Sequence, residues 1–82
     1  MNYDTLDEIF EEIITEMERQ YYKWGDQHHT DSVWLTILIE EVGEAARAIL
    51  ESNDPHSPEM MDELIQVAAV VSAWLEDCRG ET

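Results

Sequence analysis

Eighty-two residues with twenty acidic side chains against four basic ones, a net charge of −16, exclude a direct grip on nucleic-acid backbones or anionic membranes. The length suits one domain spanning residues 1–82, and 44% hydrophobic residues with three Trp and three Tyr exclude a disordered polymer. No segment approaches the roughly 18 apolar residues of a membrane span, the N-terminal MNYDTLDE is too acidic for a leader, and a lone Cys78 fits a reducing cytoplasm.

Glycine and proline occur at Gly25, Gly43, Pro55, Pro58 and Gly80. All but Gly43 mark boundaries, which predicts helices over about 5–24, 32–52 and 58–78. The first helix opens on a capping box, Thr5 with Glu8. On a helical wheel Leu6, Ile9, Phe10, Ile13, Ile14, Met17, Tyr21 and Trp24 form one stripe. Asp7, Glu8, Glu11, Glu12, Glu16 and Glu18 fall outside it and read as solvated. Gly25 ends the helix, and the turn-rich GDQHHTD leads to the second, with Asp31 or Ser32 as N-cap.

The second helix is apolar on most sides. Trp34, Leu35, Leu38, Ile39, Val42, Ala45, Ala46, Ile49 and Leu50 form a wide arc. Val33, Ile37 and Ala48 lie opposite, among Glu40, Glu41, Glu44 and Glu51, so this helix is expected to pack on more than one side. Glu40 and Glu44 are one turn apart and Glu41 is three residues before Glu44, so the three carboxylates repel one another. The third helix opens on Ser57 as N-cap with Pro58 in its first turn.

In that third helix Glu63 shares a stripe with Met60, Val67, Val70 and Trp74, where an isolated ionised carboxylate is costly. No basic residue precedes Arg79 in the helix, which leaves a divalent cation as the cheapest partner. The candidate donors are all oxygens, a set that suits Mg²⁺, Mn²⁺ or Ca²⁺ rather than zinc. The zinc-protease HExxH and ferritin-type ExxH patterns do not occur. The expected fold is all-α: a helical hairpin or bundle of three main helices, holding more apolar surface than it can hide. Self-association completes it as a four-helix-type bundle.

These residues also carry a resemblance. Glu40-Glu41-Val42-Gly43-Glu44 resembles the EExxE element of the MazG-like nucleoside triphosphate pyrophosphohydrolases, and Glu63-Leu64-Ile65-Gln66 falls where their ExxD element lies. KWGDQHH (Lys23 to His29) and DELIQVAAVVSAWLED are similar to a MazG-like subgroup, and together the likeness spans roughly Glu18 to Asp77. EExxE alone is common on acidic helices; the combination is far more specific. The resemblance implies Mg²⁺-dependent (or Mn²⁺-dependent) hydrolysis of a nucleoside triphosphate to the monophosphate and pyrophosphate, in a homodimer or homotetramer. It implies Glu40, Glu41, Glu44 and Glu63 as metal ligands, with Gln66 as a neutral one. Glu41 and Glu44 take the catalytic role, one of them orienting the attacking water, while Lys23, Trp24 and Gln27 face the substrate.

Gln66 departs from the family, because an amide oxygen brings neither charge nor basicity. Two alternatives therefore stand beside the hydrolase: a catalytically weak or inactive nucleotide-binding or regulatory relative, and a non-enzymatic acidic interaction protein. Lys23 reads as a phosphate contact or a solvated helix-end residue, Trp24 as a base-stacking or core residue, and Gln27 as a base contact or turn residue. Arg47 reads as an ion-pair partner of Glu44, the favoured role, or as a phosphate contact. Trp34 and Trp74 read as core or subunit-interface residues, and His28, His29 and His56 as loop residues without catalytic role.

Overall fold

A computed structural model describes residues 1–80 and contains three helices: α1 (Tyr3–Trp24), α2 (Asp31–Glu51) and α3 (Pro58–Arg79). The all-α expectation and the three boundaries hold, and two caps differ. Asn2, not Thr5, opens α1: its side-chain oxygen accepts from the Thr5 backbone N–H at 3.1 Å. Asn outranks Thr as an N-cap, so the helix starts two residues before the expected box. Thr30, not Asp31 or Ser32, caps α2 by accepting from the Val33 N–H at 3.3 Å. The Asp31 carboxylate is committed elsewhere, accepting from Trp74 Nε1 at 2.9 Å. Ser57 caps α3 as expected, with Pro58 next to it. Gly25 ends α1 at φ 72°, a left-handed conformation that costs glycine nothing.

α3 is the central element. It packs against both α1 and α2, whereas no Cα of α1 lies within 8 Å of a Cα of α2. The buried apolar residues are few: Trp34 and Ala45 on α2, Ala69 and Val70 on α3. Asp77 of α3 acts as a clamp. Its carboxylate accepts from Trp34 Nε1 at 2.8 Å and the His29 N–H at 3.1 Å, and pairs with His28 Nδ1 at 2.9 Å. The loop between α1 and α2 is thereby pinned to the end of α3.

The α1 stripe is not covered within the chain. No α1 residue is fully buried, and Phe10, Ile14, Tyr21 and Trp24 are each more than half exposed. α2 was expected to pack on several sides, yet Leu35, Ile39, Val42 and Ile49 stay exposed, as do Met61, Leu64, Val71 and Leu75 on α3. Within each set the spacing is three, four or seven residues, the pattern of a helix–helix seam. Among the described residues no helix is long and apolar enough to cross a membrane.

Candidate functional site

Glu41 and Glu44 of α2 and Glu63 of α3 each present a carboxylate oxygen, and the three oxygens lie within 4.8 Å of one another. Glu41 and Glu63 are half-buried and Glu44 is exposed. Glu63 Oε2 is buried with no hydrogen-bond partner among the described residues. Burial, then the Glu44 carboxylate, pushes the Glu63 pKa up; burial, then Glu44 and Glu63, does the same to Glu41. Glu40 is exposed and outside the group, acting on Glu41 only as a nearby charge.

No basic side chain neutralises the three acids. Arg47 was expected to pair with Glu44, but it makes no ion pair within 4.0 Å among the described residues. It lines a hollow with Glu59 and with Glu44 and Glu63 of the group itself, on a protein whose acids far outnumber its bases. The residues fit a hard divalent cation. Oxygen ligands at about 2.1 Å from Mg²⁺ stand roughly 3 to 4.2 Å apart, so these carboxylates could hold one such ion after small side-chain shifts.

Beside the acids, a cleft of about 470 Å³ opens between α1 and α2 with α3 as its floor. Along α2 its lining runs from Trp34 through Ile37 to Glu41, about 10 Å of helix. Trp24 lines it and is 57% exposed, so it is not a core residue. Gln27 also lines it, its Oε1 3.1 Å from His29 Nε2, and the His29 ring meets Trp34 edge-on at 4.9 Å. Trp34 is the core residue of the pair, 3% exposed. Lys23 is outside the lining, its Nζ 4.6 Å over the Trp24 ring.

Gln66 faces α1. Its Oε1 accepts from Gln20 Nε2 at 3.2 Å, and the same Nε2 donates to Glu16 Oε2 at 2.9 Å. Glu16 also takes two hydrogen bonds from Arg19, Nε at 3.0 Å and Nη2 at 2.7 Å, and its side chain is only 11% exposed. The solvated role expected for Glu16 is therefore incorrect. Arg19 above all, with Gln20 and Gln66, outweighs burial and holds its pKa low. Glu16, Arg19, Gln20 and His29 are the site residues that the sequence reading missed. The spacing of Arg19 and Gln20 from Glu16 was a usable signal, whereas nothing local connects Gln20 to Gln66. No protein-family model, curated protein or solved structure matches the chain.

The titrations give a pH test. Glu41, Glu63 and His28 have raised pKa values, so each contributes stability that is present below its ordinary value (4.5, 4.5 and 6.5) and lost as pH rises through the folded value. Asp77 is opposite: hydrogen bonds from Trp34, His28 and His29 hold it at about 2, so its contribution is present above 3.8 and lost as pH falls. In chelator the thermal midpoint is expected to be higher at about pH 5 than at about pH 8, and to fall again below about pH 3. A flat or reversed profile from pH 5 to 8 would contradict the strained-acid account.

Proposed function

We propose that the chain is a divalent-cation-dependent nucleoside triphosphate pyrophosphohydrolase of the MazG-like kind, giving a nucleoside monophosphate and pyrophosphate. One observation carries this: the buried Glu63 Oε2, without a hydrogen-bond partner among the described residues, beside Glu41 and Glu44, in a group that no basic side chain of those residues pairs with within 4.0 Å. Glu41, Glu44 and Glu63 would hold Mg²⁺ or Mn²⁺. When bound, the cation offsets phosphate charge and acidifies a coordinated water. The half-buried Glu41 also lines the cleft, where a carboxylate oxygen left free by the cation would accept a proton from attacking water. Trp24 offers an aromatic face for a base, and Gln27 an amide whose N–H groups are not engaged by His29. A cytoplasmic setting goes with this reading, in keeping with the exposed free thiol of Cys78.

A panel of standard and modified nucleoside triphosphates, with pyrophosphate detection and Mg²⁺ or Mn²⁺, tests it. Metal-dependent release, lost in Glu41→Gln, is expected; no release from any nucleotide removes the hydrolase. Gln66 favours a second reading, a binding-only relative, because its amide is engaged with Gln20 and supplies no charge to the acids. That protein would bind metal and nucleotide in calorimetry without forming product.

A second copy of the chain is proposed to cover the exposed rows on α2 and α3, completing a four-helix-type bundle as a homodimer or as half of a homotetramer. The four α3 residues of the row and their α2 counterparts form a seam of the kind that pairs helices. Leu64→Glu, at a half-exposed position, is expected to convert the assembly to monomer in light scattering. A wild-type monomer at high micromolar concentration rejects the pairing.

A further inference from the structure

We infer that Gln66 positions Arg19 rather than ligating a cation, and that Arg19 is the side chain that meets the polyphosphate in the cleft; this rests on the nucleotide-hydrolase reading above.

Gln66 follows Glu63 by three residues, yet its amide oxygen is turned to α1, where it accepts from Gln20 Nε2 at 3.2 Å. The Gln20 NH₂ group is fully used, one N–H on Gln66 and one on Glu16. A carboxylate at position 66 would set a second negative charge beside the half-buried Glu16. An amide makes the same bridge to α1 without repulsion. The residue that departs from the family pattern is thus suited to a contact that an aspartate would spoil.

The bridge ends at Arg19. Glu16 grips the guanidinium through Nε and Nη2, leaving three of its five N–H groups without a partner among the described residues. Arg19 is the one basic residue that lines the cleft shared with Glu41. Lys23 sits over Trp24, Arg47 lines the hollow of Glu44 and Glu63 rather than the cleft with the aromatic and amide groups, and Arg79 lies in the last turn of α3. A polyphosphate entering a protein of net charge −16 needs a cation besides the metal, and a guanidinium held rigid on one edge offers its other edge to phosphate oxygens.

The test measures Mn²⁺ alone and then the Mn²⁺–tripolyphosphate complex by calorimetry, on wild type, Gln66→Ala, Arg19→Ala, Arg19→Lys and Glu63→Gln. Gln66→Ala and Arg19→Ala should keep Mn²⁺ affinity within about twofold, whereas Glu63→Gln loses about 100-fold or more. Both should weaken tripolyphosphate binding about tenfold, the scale of a charged hydrogen bond, with Arg19→Lys intermediate. If Gln66→Ala loses Mn²⁺ affinity as Glu63→Gln does, Gln66 is a ligand and the inference is wrong. Unchanged tripolyphosphate affinity in Arg19→Ala also overturns it. A purely architectural Gln66 would lower the melting temperature and weaken both ligands together; Gln66→Met, which keeps the bulk, should then behave as wild type, and that result too counts against positioning. Wild type without Mn²⁺ binding removes the acid group as a site and the inference with it. The expected pattern without turnover leaves the inference standing and removes only the hydrolase.

Discussion

Glu63→Gln is expected to abolish divalent-cation binding and, in chelator, to make the protein more heat-stable. The two effects have one cause. In the apo protein Glu63 keeps a buried carboxylate oxygen without a donor, next to Glu44 and Glu41. Neutralising it relieves a strain on the order of 1 kcal/mol. In a domain of this size such a change moves the midpoint by roughly 4–8 °C. With Mg²⁺ at about 100 times its dissociation constant, wild type gains roughly 2.7 kcal/mol. The variant gains almost none, having lost a direct ligand. Melting curves with and without Mg²⁺ should therefore cross: the variant is higher in chelator and lower in metal. A variant that melts below wild type in chelator and still climbs with Mg²⁺ would remove the cation from the account.

Trp34→Ala is expected to cost about 3–5 kcal/mol, the largest loss of stability from any single truncation here. Trp34 is 3% exposed, lies between α2 and α3, and donates its indole N–H to Asp77 at 2.8 Å. It lines two hollows, of about 590 and 470 Å³, so few neighbours can relax into the space it leaves. At roughly 0.05–0.15 kcal/mol per residue, a chain of this length has about 4–12 kcal/mol in total. The variant thus stands near its unfolding transition, visible as a collapse of the urea midpoint. Trp24→Ala is the control: at 57% exposure it should change stability by no more than about 0.5 kcal/mol. Equal losses at the two tryptophans would mean that the core is placed wrongly.

The helices were legible because glycine and proline act locally. Gly25, Pro58 and Gly80 punctuate the chain wherever it folds, and the bounds agree to within about two residues. The caps were less so, because several good candidates stand side by side at each start. Asn2 wins over Thr5 by intrinsic preference, while Asp31 is withdrawn from capping by the Trp74 indole, 43 positions away. The acids on α2 and α3 could be read as a group because each was out of place on its own helix. Glu16 could not: a wheel places it on the polar side of α1, and its link to α3 runs through Gln20 to Gln66, 50 positions later. Asp77 stayed hidden for the same reason, as its partners are on another helix and in a loop. The wheel of α1 also misled in the other direction, since an apolar stripe states what needs covering and not whether the chain itself covers it.

The gap between α1 and α2 has a mechanical consequence. Because α1 packs on α3 and not on α2, the tilt of that one helix pair, with the pinned loop as its pivot, sets the distance from Arg19 to Glu41. A molecule bridging the two would act as a strut, closing an open frame into a triangle. Loading and stiffening are then a single event: amide hydrogen exchange slows along α1, while α2 and α3, already braced against each other, change little.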